Sequence, residues 1–242
     1  MAHPVYKVGG KRVPSVTTIL SRYKESGGLM YWANQVGLGE HDSCSDQVAC
    51  KHCGKRPGKT LNEARSGAAD VGSLAHDLIH YEVTGEEPEL SLVKKYEHLS
   101  EAQWDLASQC HESYQEWQEV HKVKYVGHEL SLLSHKHRYG GTLDAIGYVN
   151  DRFSIIDYKT SAGWYADYFV QLAGYILLVE EDPQLLMEYG AVQRICGLRM
   201  SKETAGFDTF VRPRETFDVA LRYFLHLREA YEMDKQVKKL MK

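Results

Sequence analysis

No run in this chain is apolar for long enough to cross a bilayer, and its opening, MAHPVYKVGGKRVPS, has no apolar h-region. Neither a membrane span nor a secretory leader is expected. An excess of positive charge is missing too: 29 Lys+Arg against 33 Asp+Glu leave a net charge of -4. That excludes a generally basic coat for nucleic acid and confines any polyanion site to a groove where lysine, arginine or metal ions offset the carboxylates. Cysteine is scarce and unevenly placed: of five, Cys44, Cys50 and Cys53 cluster while Cys110 and Cys196 stand alone. This argues against a disulfide framework and for a reducing, cytoplasmic setting with a metal site. Internal repeats and low-complexity linkers are absent. What remains is a globular composition, 43% hydrophobic and 26% charged, with the apolar mass for one domain over residues 1–242.

The pattern along the chain changes character twice. VYKVGGKRVPSV reads as a small hairpin turning at Gly9-Gly10, and Ser15 as the N-cap of a short helix, VTTILSRY. A second short helix is expected in GLMYWANQVG. Helical spacing then predicts a long helix from Thr60 to about Thr84 and another from Glu101 to His121. After these come strands: KYVGHELSLLS, RYGGTLDAIGYV and FSIIDYK, the last two joined by a tight turn at Asn150–Arg152. A helix, YADYFVQLAGYILLVEE, separates them from two more strands, GAVQRICGLRM and GFDTFVRP, and a closing helix begins near Arg214. Helices followed by a sheet, a helix and more sheet indicate an α/β or α+β domain with a mixed central sheet.

The chemistry concentrates in GTLDAIGYVNDRFSIIDYKTS, residues 141–161. Side chains alternate along a strand, so Ile155, Asp157 and Lys159 share a face. The preceding strand brings Asp144 across a short turn. Two carboxylates on paired strands can hold one hard dication, and a lysine beside them can neutralise charge on a phosphate or position a water. Asp-x-Lys alone is explained as well by a surface ion pair on an edge strand. Three further features favour a site: the second acid at hairpin distance, Gln171 and Tyr175 four apart on one face of the next helix, and His76 and Glu129 as candidate ligands upstream. His80, one turn after His76, competes with it; His135 and His137 read as exposed loop residues.

In this order and spacing, His76 in GSLAHDLIH, Glu129 in GHELSLL, Asp144 in GTLD, Asp157 and Lys159 in IIDYKTS and Gln171 with Tyr175 in QLAGY resemble the PD-(D/E)xK nuclease superfamily, and within it the RecB-like exonuclease branch. VPSVTTIL resembles the start of the mitochondrial genome maintenance exonucleases and their phage and bacterial relatives. The resemblance implies a restriction-endonuclease-like core and metal-dependent hydrolysis of DNA, single-stranded or from free ends, in replication, recombination or repair. It implies Mg²⁺ or Mn²⁺ held by His76, Asp144, Asp157 and the backbone carbonyl of Tyr158. Lys159 would be the catalytic lysine, Glu129 would sit close to the metal, and Gln171 and Tyr175 would orient the lysine or the phosphates. Ser15, Arg65, Thr160 and Ser161 are candidate DNA contacts. A homo-oligomer or a recombination partner protein is compatible with it. A structure-specific endonuclease and a non-catalytic DNA-binding or assembly module on the same fold are the alternatives; the intact Asp144, Asp157 and Lys159 set argues against the module.

The segment 39–58 interrupts the resemblance. It holds His41, Cys44, Cys50 and Cys53 at H-x2-C-x5-C-x2-C spacing, a donor set suited to tetrahedral Zn²⁺. A polar stretch this short cannot order itself by burial, so a structural zinc knuckle is the expectation, with Asp42, Asp46 and His52 as alternative ligands. A flexible loop with free thiols is the plainer reading. An iron–sulfur cluster is disfavoured, because only Cys196 follows the nuclease motifs.

Overall fold

The computed structural model describes residues 4–23, 61–85, 90–161, 163–201 and 206–241. The expected Cys/His knuckle at 39–58, with His41, Cys44, Cys50 and Cys53, and the helix expected in GLMYWANQVG lie outside them.

The chain starts with strands β1 (Lys7–Val8) and β2 (Lys11–Arg12), turning through Gly9 and Gly10 at φ 57° and 72°, a left-handed geometry that glycine adopts without steric cost. Helix α1 (Val16–Ser21) follows, and Ser15 caps it, its Oγ accepting the Thr18 N–H at 3.0 Å. Three helices come next: α2 (Leu61–Thr84), the short α3 (Leu90–Lys95) and α4 (Glu101–Val120). A five-stranded sheet then forms in chain order from β3 (Lys124–Ser134), β4 (Tyr139–Val149), β5 (Arg152–Thr160), β6 (Arg194–Met200) and β7 (Phe207–Pro213). Between β5 and β6 lie α5 (Ala166–Glu181) and the short α6 (Pro183–Tyr189), which carry the crossover that lets β5 and β6 pair in parallel, while the neighbouring pairs of this sheet are antiparallel. A 3₁₀ turn (Arg214–Phe217) leads into the closing helix α7 (Asp218–Lys239). The mixed α/β architecture expected from the strand and helix patterns is present. Helices α3 and α6 and the 3₁₀ turn are additions to it, each too short to carry a periodic signal.

The sheet is buried on both sides because β4, β5 and β6 alternate apolar residues onto two faces. Ile146, Ile155 and Ile195 pack with α1, α5 and α7 through Val16, Ile19, Leu172, Ile176 and Phe224. Ile156, Cys196 and Leu198 face α2 and α4 through Leu74, Ile79, Tyr114 and Trp117. Each such side chain, taken fully out of water, contributes about 1.5–3 kcal/mol. The β4–β5 hairpin turns through Asn150 and Asp151, both at positive φ, as a two-residue turn of the kind that matches strand twist. No helix among the described residues is long and apolar enough to cross a membrane.

Two close approaches fix the helices on this sheet. Gly140 lies under the Tyr6 ring, where a Cβ would meet Tyr6 Cδ1 at 2.2 Å, and its N–H donates to the Pro14 carbonyl at 3.0 Å. That seats the N-terminal hairpin on β4. Gly72 of α2 lies against Thr160 at the end of β5, where a Cβ would meet Thr160 Oγ1 at 2.2 Å. The missing side chain lets α2 descend onto β5 and carries His76, one turn later, to the sheet end where Asp157 and Lys159 project.

Candidate active site

The β4–β5 ladder pairs Val149 with Arg152 and runs to Ala145 with Ile156. Beyond that rung, Asp144 Oδ2 accepts the Tyr158 N–H at 2.8 Å, so a side chain takes the place of the next backbone carbonyl. This holds the Asp144 carboxylate between the strands and beside Asp157. Asp157 is 1% exposed, and its Oδ1 has no hydrogen-bond partner. Its Oδ2 lies 2.5 Å from Lys159 Nζ, an ion pair that leaves Oδ1 bare. A buried carboxylate oxygen without a donor is costly unless a cation completes it. Burial, outweighing the attraction of Lys159, pushes Asp157 up to about 6, and it raises Asp144 as well. Burial alone would depress Lys159, yet Asp157 and Asp144 outweigh it and hold the ammonium above its ordinary pKa.

His76 is half-buried and meets the Tyr158 ring edge-on, with centroids 5.8 Å apart. Burial first, then the Lys159 charge, lowers it to about 4, so at neutral pH it is an uncharged imidazole with a lone pair to give. Helix α5 brings Gln171 and Tyr175 to the opposite wall. Gln171 Nε2 donates to Tyr175 Oη at 2.8 Å, and Tyr175 is buried close enough to both aspartates to feel their charge. Gly141 of β4 makes room for it: a Cβ there would meet Tyr175 Cε1 at 2.9 Å. Glu129 sits on β3 opposite Asp144, between the pairs His128 with Ala145 and Leu130 with Leu143.

The candidate DNA contacts fall in different places. Ser15 is committed to capping α1 and lines an open groove of about 850 Å³ with Tyr6, Arg12, Thr18, Tyr175 and Lys235. Tyr175 is the wall this groove shares with the carboxylates, so it opens beside them rather than over them. Thr160 packs against Gly72. Ser161 is buried, and its hydroxyl donates to the Gly163 carbonyl at 2.9 Å. Arg65 lies in the first turns of α2, where side chains are outside the described set.

His137 departs from expectation. It is half-buried, and its Nε2 lies 3.1 Å from Glu181 Oε1, because α5 passes behind the β3–β4 turn. Two residues went unnoticed in the sequence. The Tyr168 ring lies 5.4 Å from Lys159 Nζ, a cation–π placement on the same helix as Gln171. His128 meets His80, Nδ1 to Nδ1, at 3.0 Å. The first was detectable from its spacing, three residues before Gln171; the second is a contact between residues 48 apart.

The described donors suit a hard dication: two carboxylates, one of them with a bare oxygen, and a neutral imidazole. A sequence model described as the PD-(D/E)XK nuclease superfamily matches residues 49–239. No curated protein matches the sequence. Among solved structures, a provisionally named exonuclease from Eubacterium rectale is similar at 14% identity and TM-score 0.45, over 66% of this chain and 64% of that one. This chain therefore spans under two thirds of that protein's length. LHK-Exo, an alkaline exonuclease from Laribacter hongkongensis, is similar in its complex with dAMP at 14% identity and TM-score 0.33, over 72% of this chain and 92% of that one.

Proposed function

The chain belongs to the PD-(D/E)XK nuclease superfamily, and from that premise we propose that it is a Mg²⁺- or Mn²⁺-dependent deoxyribonuclease acting as an exonuclease on single strands or free ends. The observation that carries this reading is the Asp157 carboxylate, buried beside Asp144, with Oδ1 lacking any partner and Oδ2 held by the Lys159 ammonium.

Asp144, Asp157, His76 and the Tyr158 carbonyl would hold the cation, which when bound lowers the pKa of a water and polarises a phosphoryl oxygen. The protein's own groups supply the rest. The Tyr158 N–H fixes the Asp144 carboxylate, so it needs no reorganisation on binding. Lys159 stays an ammonium beside Asp157 and is placed to balance charge that grows on the phosphate. The Gln171–Tyr175 pair, joined by its 2.8 Å hydrogen bond, would wall the site. Arg12, Lys235 and the hydroxyls of Ser15, Thr17 and Thr18 give the adjoining groove the character of a strand path. Such binding weakens as salt rises.

The test is digestion of end-labelled linear DNA against circular single-stranded DNA, with Mg²⁺ and with Mn²⁺. Loss of label from linear DNA with circles left intact is the expected result. Cleaved circles replace the exonuclease by an endonuclease. Intact DNA in every lane removes the enzyme reading, and full cleavage by Asp157→Ala shows that the site is misplaced.

A further inference from the structure

We propose a second metal site, selective for a transition-metal dication such as Zn²⁺ or Co²⁺, formed by His80, His128 and Glu129. It uses donors distinct from the Asp144–Asp157 pair and does not depend on the nuclease reading.

Three ligand atoms, one from each residue, lie within 4.8 Å of one another. His80 Nδ1 is 3.0 Å from His128 Nδ1 and 4.0 Å from Glu129 Oε1. Bonds of roughly 2.0–2.1 Å at tetrahedral angles hold donors about 3.3 Å apart, so a small adjustment admits an ion. Two imidazoles and one carboxylate favour zinc, cobalt or nickel over magnesium, which prefers oxygen throughout.

The backbone supplies an independent argument. Neighbouring residues of a regular strand project to opposite faces, so His128 and Glu129 cannot both meet one helix residue. Glu129 has φ 49°, a left-handed conformation that a glutamate adopts at a cost on the order of 1 kcal/mol. The break in alternation turns its carboxylate to the same side as His128, toward His80 on α2. A strained residue that gathers three donors is what a binding site requires and what sheet packing alone does not. The site is also open: the His80 and Glu129 side chains are 25% and 40% exposed, leaving room for an ion to enter and for water to complete its coordination.

An ion here would join α2 to β3. His80 lies one turn beyond His76, and β3 pairs with the strand that carries Asp144. The clasp would therefore hold α2, and His76 with it, against the sheet.

The experiment titrates the chelator-stripped full chain with Co²⁺ and reads its electronic spectrum. Cys44→Ser, Cys50→Ser and Cys53→Ser together serve as background, so that thiolate bands from the cysteine segment are removed. The expected result is a bound Co²⁺ with weak visible bands and no thiolate charge transfer. Affinity should fall at least about tenfold in His80→Ala and in His128→Ala and persist in Asp157→Asn. Circular dichroism checks the fold, and His80→Asn and His128→Gln repeat the measurement if either alanine variant is unfolded. Co²⁺ affinity unchanged in the folded histidine variants, or lost only in Asp157→Asn, overturns the site. Because cleavage is not read, that failure leaves the nuclease reading untouched, and intact DNA in the digestion assay leaves this one untouched.

Discussion

Gly72 and Thr160 touch where α2 crosses the end of β5, so closely that one added carbon would fall 2.2 Å from Thr160 Oγ1 and 2.9 Å from its Cβ. The contact couples the helix that carries His76 to the strand that carries Asp157 and Lys159. Thr160 is β-branched and stiff at χ1, so it cannot easily swing away. Gly72→Ala should therefore cost about 1–3 kcal/mol in chemical denaturation and reduce cleavage by displacing His76. Thr160→Ala in the same chain should restore part of the stability, since Oγ1 leaves while Cβ stays.

Asp157 makes the metal-free protein sensitive to pH. Its pKa is about 6 in the folded chain, against about 3.9 for an unperturbed aspartate, so the folded state binds the proton more tightly. The stability this proton confers is complete below pH ~4 and is lost as pH rises through 6, an amount on the order of 3 kcal/mol. In EDTA, Asp157→Asn should gain on the wild type as pH is raised from 4 to 7, measured by thermal melting. Saturating Mg²⁺ or Mn²⁺ should stabilise the wild type at pH 7 and not the variant.

Lys159→Met keeps the length of the side chain and removes its charge. Cleavage should fall about 10²–10⁴-fold, the range for losing one group that acts in the transition state. Binding of Mn²⁺ should persist, because an ammonium is not a ligand; calorimetry on the variant reads this. Loss of metal binding together with activity would instead give Lys159 a purely structural role.

Tyr175→Phe removes the hydroxyl that accepts from Gln171 and leaves the ring packed on Gly141. The fold should survive with a loss near 1 kcal/mol, the usual net worth of a hydrogen bond. Cleavage should drop more than this stability change implies if the hydroxyl reaches the phosphate. Gln171→Ala should resemble Tyr175→Phe, and the double variant should be less than additive, since the two side chains act as one unit.

The alternation in FSIIDYK and the helical spacing in VQLAGYILL were enough to place Asp157 with Lys159 and Gln171 with Tyr175, because strand and helix periods fix which neighbours share a face. The same local rules made Ser15 legible as a cap and Gly9-Gly10 as a turn. They failed at His137, which a passing helix half-buries with its Nε2 3.1 Å from Glu181 Oε1. They did not reach the contacts of Thr160 with Gly72, set by a helix crossing, or of the Ser161 hydroxyl with the Gly163 carbonyl.

Taken alone, then, the sequence determined the order of the main helices and strands, the family and the hairpin that brings Asp144, Asp157 and Lys159 together, because each depends on period, turn chemistry or motif within a short stretch of chain. Only the tertiary structure decided that Asp157 is buried with Oδ1 bare, that α2 can sit on β5 at Gly72, and that His80 reaches His128 and Glu129. Those depend on burial, on the absence of a Cβ at a crossing, and on one backbone torsion that breaks strand alternation; none is carried by any single segment.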